Sequence, residues 1–146
     1  MDRRIEDVLV AKAMGEPYAK ILGMKPLEVK AGYAKVAMEV QPDLSNIFGQ
    51  CHGGAIFSLM DEAFQLACNS HGTLAVALHV GISYHLPPAM GSRLVAEARE
   101  LHLGRRTGNY LIEVRDENGK LVASCQALAY RKGTALPFLQ EYSAGD

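Results

Sequence analysis

The chain has 146 residues, of which 49% are hydrophobic and 21% charged, and its formal net charge is -1. That balance belongs to a water-soluble globular chain of single-domain length: it gives no electrostatic reason to expect a nucleic acid, and no apolar run nears the roughly 20 residues of a membrane span. Cys51, Cys68 and Cys125 are an odd number without C-x-x-C spacing, which argues against a disulfide framework or a structural zinc site.

The N-terminus, Met1-Asp2-Arg3-Arg4-Ile5-Glu6-Asp7, carries acids where a signal peptide has an apolar core, so a cytoplasmic protein is expected. Residues Asp2 to Met14 set Ile5, Val8, Leu9, Lys12 and Ala13 at helical spacing, and Gly15 and Pro17 stop this short N-terminal helix. From Leu27 the period becomes two. Leu27, Val29 and Ala31, then Val36, Met38 and Val40 after Gly32, predict a hairpin that ends at Gln41-Pro42-Asp43. A loop through Asn46, Gly49 and Gln50 leads into Gly53 to Ser70, which has no Pro and no strict alternation and reads as a helix of about 27 Å. Ser58, Asp61, Glu62, Gln65 and Asn69 fall on one narrow stripe of it; the rest is mostly apolar, so something must wrap this helix.

Leu74, Val76, Leu78, Val80, Ile82, Tyr84 and Leu86 alternate along the clearest strand, which would extend about 43 Å, curve around the helix and end at Pro87-Pro88. Arg93 to Leu103 and Asn109 to Arg115 read as strands joined through Gly104-Arg105-Arg106-Thr107-Gly108. Asn118-Gly119 carries a two-residue hairpin signal into the last strand, Leu121 to Arg131, and the tail from Gly133 to Asp146 is expected to be loosely held. The reading is α+β: one domain over residues 1–146 with its core at about 27–132, a long central helix wrapped by a curved antiparallel sheet of six strands, the last four in a meander.

Asp61 and Glu62 stand as adjacent carboxylates inside this apolar helix, and one of them is expected to do chemistry. The competing reading leaves Asp61 on a solvated stripe with Ser58 and Gln65. Cys51 beside His52 is not read as a nucleophile pair, because adjacent residues seldom point at each other, and His79 and His85 share a strand face without a third metal ligand.

Asn46, five residues, His52-Gly53-Gly54, six residues and Asp61, followed by strands and the Gly-Arg-Arg-Thr-Gly turn, resemble the hotdog-fold acyl-CoA thioesterases. More narrowly the pattern is similar to the phenylacetic-acid-degradation branch, from about Leu27 to Lys132. The resemblance implies hydrolysis of acyl-CoA thioesters, phenylacetyl-like or medium-chain by analogy, with no cofactor beyond the coenzyme A of the substrate. It also implies a homodimer with its two sheets joined edge to edge, and a homotetramer as a dimer of dimers.

In that reading Asp61 is the general base or the nucleophile, with Glu62 as the rival carboxylate, and the Gly53 N-H polarises the carbonyl. Asn46 carries over from the family position as the group orienting water or carboxylate, and His52 caps the helix and shapes the Gly53 loop. Asp61 lies eight residues beyond Gly53, about 12 Å along the helix, so one carbonyl cannot touch both unless two antiparallel helices from neighbouring subunits meet. Gly54 with the small-residue stretch Val80, Gly81 and Ile82 would admit a pantetheine arm, and Arg105, Arg106 and Thr107, with Arg131 and Lys132, would face the coenzyme A phosphates. Ala77 stands near the place where some relatives carry a Ser or Thr that assists the water, and Phe57, Met60, Phe64 and Tyr84 are candidates for the acyl pocket. A non-catalytic acyl-CoA binding module is the alternative, and a hydratase or dehydratase would need an Asp61–His52 pair across subunits.

Overall fold

A computed structural model describes residues 3–139. Helix α1, Arg3–Gly15, buries Val8, Leu9 and Ala13, the stripe that its spacing predicts; the expected start at Asp2 lies outside the described residues. A second helix, α2, spans Pro17–Leu22 and was not expected. Pro17 was read as a stop but sits in the first turn, where its missing N-H costs nothing, and Gly23 closes the helix at φ 72.

Strands β1, Lys25–Lys30, and β2, Tyr33–Glu39, form the predicted hairpin. A bulge between Pro26 and Glu28 turns Leu27 out to 49% exposure, so Val29 fills the core instead. After a 3-10 turn at Pro42–Leu44 comes the central helix α3, Gly53–Asn69. Four strands follow: β3 Thr73–Tyr84, β4 Arg93–Leu103, β5 Thr107–Arg115 and β6 Leu121–Ala135.

The sheet order is β1-β2-β4-β5-β6-β3, antiparallel throughout. The expected four-strand meander is therefore corrected: β4, β5 and β6 form one, but β3 pairs with β6 at the sheet edge. Pro87 and Pro88 cannot continue a ladder, and the link beyond them is tied to β2, with Val40 N donating to Ser92 O and Gly91 N to Val40 O, both at 2.8 Å. The chain thus crosses the mouth of the sheet and enters β4 beside β2.

Uninterrupted alternation along β3 is also corrected. A register shift between Ala77 and His79 places Ala75 and Ala77 on the helix side before it and Val80, Ile82 and Tyr84 on that side after it, leaving Leu78 60% exposed. The Asn118-Gly119 turn is wider than two residues: Asp116 N donates to Lys120 O, and Asp116 Oδ1 accepts from Asn118 N and Lys120 N. Gly119 alone takes a positive φ of 78, whereas a two-residue type I′ turn would need Asn118 to do so too.

The sheet wraps α3, as predicted. Leu59, Met60, Ala63, Phe64 and Ala67 are buried against Val36, Met38, Leu94, Ile112 and Val114. Each fully buried large side chain stabilises the fold by about 1.5–3 kcal/mol. Ala96, Ala98, Ala123, Ala127 and Ala129 keep the facing sheet shallow, which gives the helix its close seat. Strand β6 runs past the predicted end at Arg131 to Ala135, and Leu136, with its N-H bonded to Gly72 O at 3.0 Å, is buried; residues 140–146 lie outside the described residues. Among the described residues no helix is long and apolar enough to cross a membrane.

Candidate active site

The entry to α3 is built from its own sequence. Asn46 N donates to Gln50 O at 2.7 Å, and Asn46 Oδ1 accepts from Phe48 N at 2.9 Å and Gln50 N at 3.1 Å. A bridge between Ser45 and Cys51 closes the loop. His52 is the N-cap: its Nδ1 accepts from Gly54 N at 2.8 Å, satisfying one of the unpaired donors of a helix start. The Gly53 N-H bonds to no acceptor among the described residues, and its carbonyl accepts from Tyr84 Oη at 3.0 Å. A cavity of about 290 Å³ opens here, lined by Asn46, Gly53, Ile56, Tyr84, His85 and Pro88 among others. It offers one free backbone donor at the positive end of a 17-residue helix.

Asp61 opens into a different cavity. This one, of about 580 Å³, lies between α1, α3 and the start of β3, with Leu9, Phe64, Leu74, Ala77, Leu136 and Phe138 among its apolar walls and Lys12, Glu16 and Gln65 as polar ones. Partial burial first, and then the charge of Glu16, raise the Asp61 carboxyl above the ordinary aspartate range. Burial and the nearby Asp61 charge also hold thiols protonated, pushing Cys68 up to about 12 and Cys125 to about 11, and burial raises Cys51. No cysteine here has the electropositive setting of a nucleophile.

The polar stripe of α3 is split by α2 and the residue before it. Asp61 and Gln65 are exposed, whereas Ser58, Glu62 and Asn69 are buried. Tyr18 Oη and Ser58 Oγ lie 2.6 Å apart, and Asn69 holds the start of β3 through Ala75 N at 2.8 Å and Ala75 O at 3.1 Å. Glu62 is 4% exposed; its Oε1 accepts from Gln65 Nε2 at 2.9 Å, while Oε2 meets no partner. Gln65 Nε2 also donates to Glu16 Oε2 at 3.1 Å, so one amide bridges two carboxyls. Burial above all, then the nearby Glu16 carboxyl and the charge of Asp61, push Glu62 up to about 8. A protonated Glu62 removes a charge that burial and the neighbouring carboxyls both oppose.

This has a consequence for stability. The folded chain holds a proton on Glu62 that the unfolded chain releases near the ordinary value of 4.5, so the folded state binds more protons between that value and about 8. Stability from this group is complete below the lower value and is lost as pH rises through the upper one. Thermal or urea melts of wild type should lose stability across that window, and Glu62→Gln, which keeps the donor without the charge, should flatten the slope. Equal slopes in the two proteins would show that Glu62 is ionised in the fold.

The other predicted residues divide by face. Val80 and Ile82 pack toward the core while Gly81 faces the outer side, the alternation expected for this stretch. Gly54 is exposed, but a Cβ there would meet His52 Nδ1 at 3.0 Å. Arg105 and Arg106 are exposed in a turn closed by Gly104 N to Thr107 O at 2.7 Å, and Arg131 N donates to Arg106 O at 2.7 Å. That turn lies by the end of β6 that pairs with the start of β3, on the Asp61 side of the sheet and away from Gly53. Among the described residues no group of three His, Cys, Asp or Glu is arranged to hold a metal. Sequence reasoning missed Glu16, whose approach to α3 depends on the unpredicted α2, and the bond of Tyr84 to Gly53, which spans 31 residues.

Residues 48–123 match the family model described as the thioesterase superfamily. The chain is 47% identical over 118 residues to a putative esterase of Archaeoglobus fulgidus, covering 81% of this chain and 77% of that one. It is 40% identical over 115 residues to the acyl-coenzyme A thioesterase PaaI of Escherichia coli, covering 79% of this chain and 82% of that one. The solved structure of the E. coli PaaI protein from the phenylacetic acid degradation operon superposes with a TM-score of 0.83 at 37% identity, covering 91% of this chain and 96% of that one. On fold and sequence alike, the chain belongs to the thioesterase superfamily, as a PaaI-like thioester hydrolase with the hotdog fold.

Proposed function

We propose that the chain hydrolyses acyl-CoA thioesters at a site assembled from two subunits. The observation that carries this reading is that the free Gly53 N-H and the Asp61 carboxylate line separate cavities of one chain, so neither cavity alone has both a donor for an oxyanion and a base. A second copy supplies the missing half. Among the described residues the far side of β3 is an unpaired sheet edge, and joining two such edges would run the two copies of α3 antiparallel, Gly53 of one opposite Asp61 of the partner subunit. Two such dimers would form the homotetramer.

The thioester carbonyl oxygen takes the Gly53 N-H, which strengthens as negative charge develops on that oxygen. Asp61 of the partner subunit removes a proton from water as the water oxygen attacks the carbonyl carbon. The tetrahedral oxyanion then collapses, the C–S bond breaks, and the coenzyme A thiolate takes the proton. In the nucleophilic variant the carboxylate itself attacks the carbonyl carbon, the C–S bond breaks and the coenzyme A thiolate leaves, and water then hydrolyses the resulting anhydride to free acid and carboxylate. Because Asn46 Oδ1 is already committed to its loop, Nδ2 is the atom left to hold the water or the carboxylate. Coenzyme A enters as part of the substrate, with its arm along β3 near Val80–Ile82 and its phosphates toward Arg105, Arg106 and Thr107. The apolar walls about Asp61, with Phe64 and Phe138 among them, suit an aromatic or medium-chain acyl group.

Free-thiol release from a panel of aromatic, hydroxylated-aromatic and straight-chain acyl-CoAs tests the reading. Turnover of aromatic and medium-chain members is expected. Binding of acyl-CoA without any thiol release would make the protein a carrier or sensor and end the hydrolase reading.

A further inference from the structure

The Gly53–Gly54 pair is the most permissive dipeptide a helix could start with, yet the proposed reaction needs one N-H aimed within a few tenths of an ångström. Two side chains hold this segment. His52 Nδ1 accepts from Gly54 N at 2.8 Å and closes a ring around the peptide unit that contains the Gly53 N-H. From the edge strand, Tyr84 Oη donates to Gly53 O at 3.0 Å, gripping the next peptide unit. The Tyr84 ring also packs beside the glycine: a Cβ at Gly53 would meet Cε1, Cζ and Oη, each at 3.4 Å. Gly53, whose N-H bonds to no acceptor among the described residues, lines one cavity together with Asn46 and Tyr84.

We propose that Tyr84 is a positioning residue for catalysis, fixing the direction of the Gly53 N-H through its bond to the Gly53 carbonyl and the contact of its ring. This rests on the reading of Gly53 as the oxyanion donor. Burial raises the Tyr84 phenol, so it stays a hydrogen-bond donor throughout the working range. Nothing local in the sequence signals the role, because Tyr84 reaches α3 only through the pairing of β3 with β6 and the curvature of the sheet.

Tyr84→Phe keeps the ring and deletes the donor. With a cleaved acyl-CoA, kcat should fall about tenfold, less than the loss of an oxyanion donor itself, while KM stays within about twofold. A His52→Ala/Tyr84→Phe double variant should lose less than the product of the two single losses, because both groups hold one segment. An activity-free readout accompanies these: in amide NMR, the Gly53 N-H of Tyr84→Phe should exchange faster and show a lower order parameter than in wild type. A raised KM with unchanged kcat, or an unchanged Gly53 amide, overturns the assignment. If wild type cleaves acyl-CoA and Asp61→Asn does not, but Tyr84→Phe keeps wild-type kcat, the Tyr84 role alone fails. If wild type cleaves no thioester, the hydrolase reading fails, and the amide measurement still decides whether Tyr84 holds Gly53.

Discussion

Asp61→Asn is expected to lower kcat for thiol release by about 10²- to 10⁴-fold, the range supplied by a positioned general base, while leaving the protein folded and able to bind substrate. Asn matches Asp in size and keeps a hydrogen-bonding side chain, so the change removes little but the charge. That charge is held against the interest of the fold, because partial burial and the Glu16 carboxylate both oppose it. Removing it should therefore leave the melting temperature unchanged or raise it, which separates a catalytic loss from a structural one. The same two causes place the acid limb of kcat/KM above the ordinary aspartate value of 3.8, since Asp61 takes up its proton earlier as pH falls. An Asn variant that keeps wild-type kcat would remove Asp61 from the chemistry and turn attention to Glu62. Glu62 is a weaker candidate for a base: it is buried, protonated up to about 8, and bonded through Oε1 to Gln65.

The parts of this site that were legible in the sequence are those whose partners are close along the chain. His52 caps Gly54 two residues on, Asn46 closes its own loop within four residues, and Asp61 sits on the same helix, so spacing alone could link them. The stripe of α3 was visible as a pattern, but which of its members face water was not. Ser58 and Glu62 are buried because Tyr18 and Glu16 lie over them, and the six-residue α2 is too short for periodicity to reveal. Strand β3 failed for another reason: alternation counts residues, and the bulge at Ala77–His79 inserts one, so the faces exchange where the pattern looks unbroken. Sheet order lay further out of reach, since it depends on the long-range pairing of β2 with β4 and of β3 with β6, reinforced by hydrogen bonds between Val40 and the Gly91–Ser92 link.

A two-subunit site makes a prediction that no single-chain site shares: two inactive variants should restore each other. Gly53→Pro is the suitable partner for Asp61→Asn. Position 53 is the first residue of α3, His52 before it has an extended backbone at φ -64 and ψ 134, and both are what a proline at a helix start requires. The substitution therefore deletes the N-H with little disturbance of the helix, and its Cβ comes no closer than 3.4 Å to the Tyr84 ring, an ordinary contact. Alone, Gly53→Pro should lose about 10²- to 10³-fold in kcat, as expected for an oxyanion donor. After mixed refolding or co-expression, a heterodimer carries one site with both defects and one site with Gly53 from the first chain and Asp61 from the second, both intact. Random pairing makes about half of the dimers hetero, with one of two symmetric sites restored in each, so about a quarter of wild-type activity should return from two nearly dead proteins. If donor and base acted within one chain, every site in the mixture would carry one of the two defects and no activity would return. Activity that stays at the level of the parents while mass spectrometry shows mixed dimers would therefore sink the shared site, even if each residue proved essential by itself.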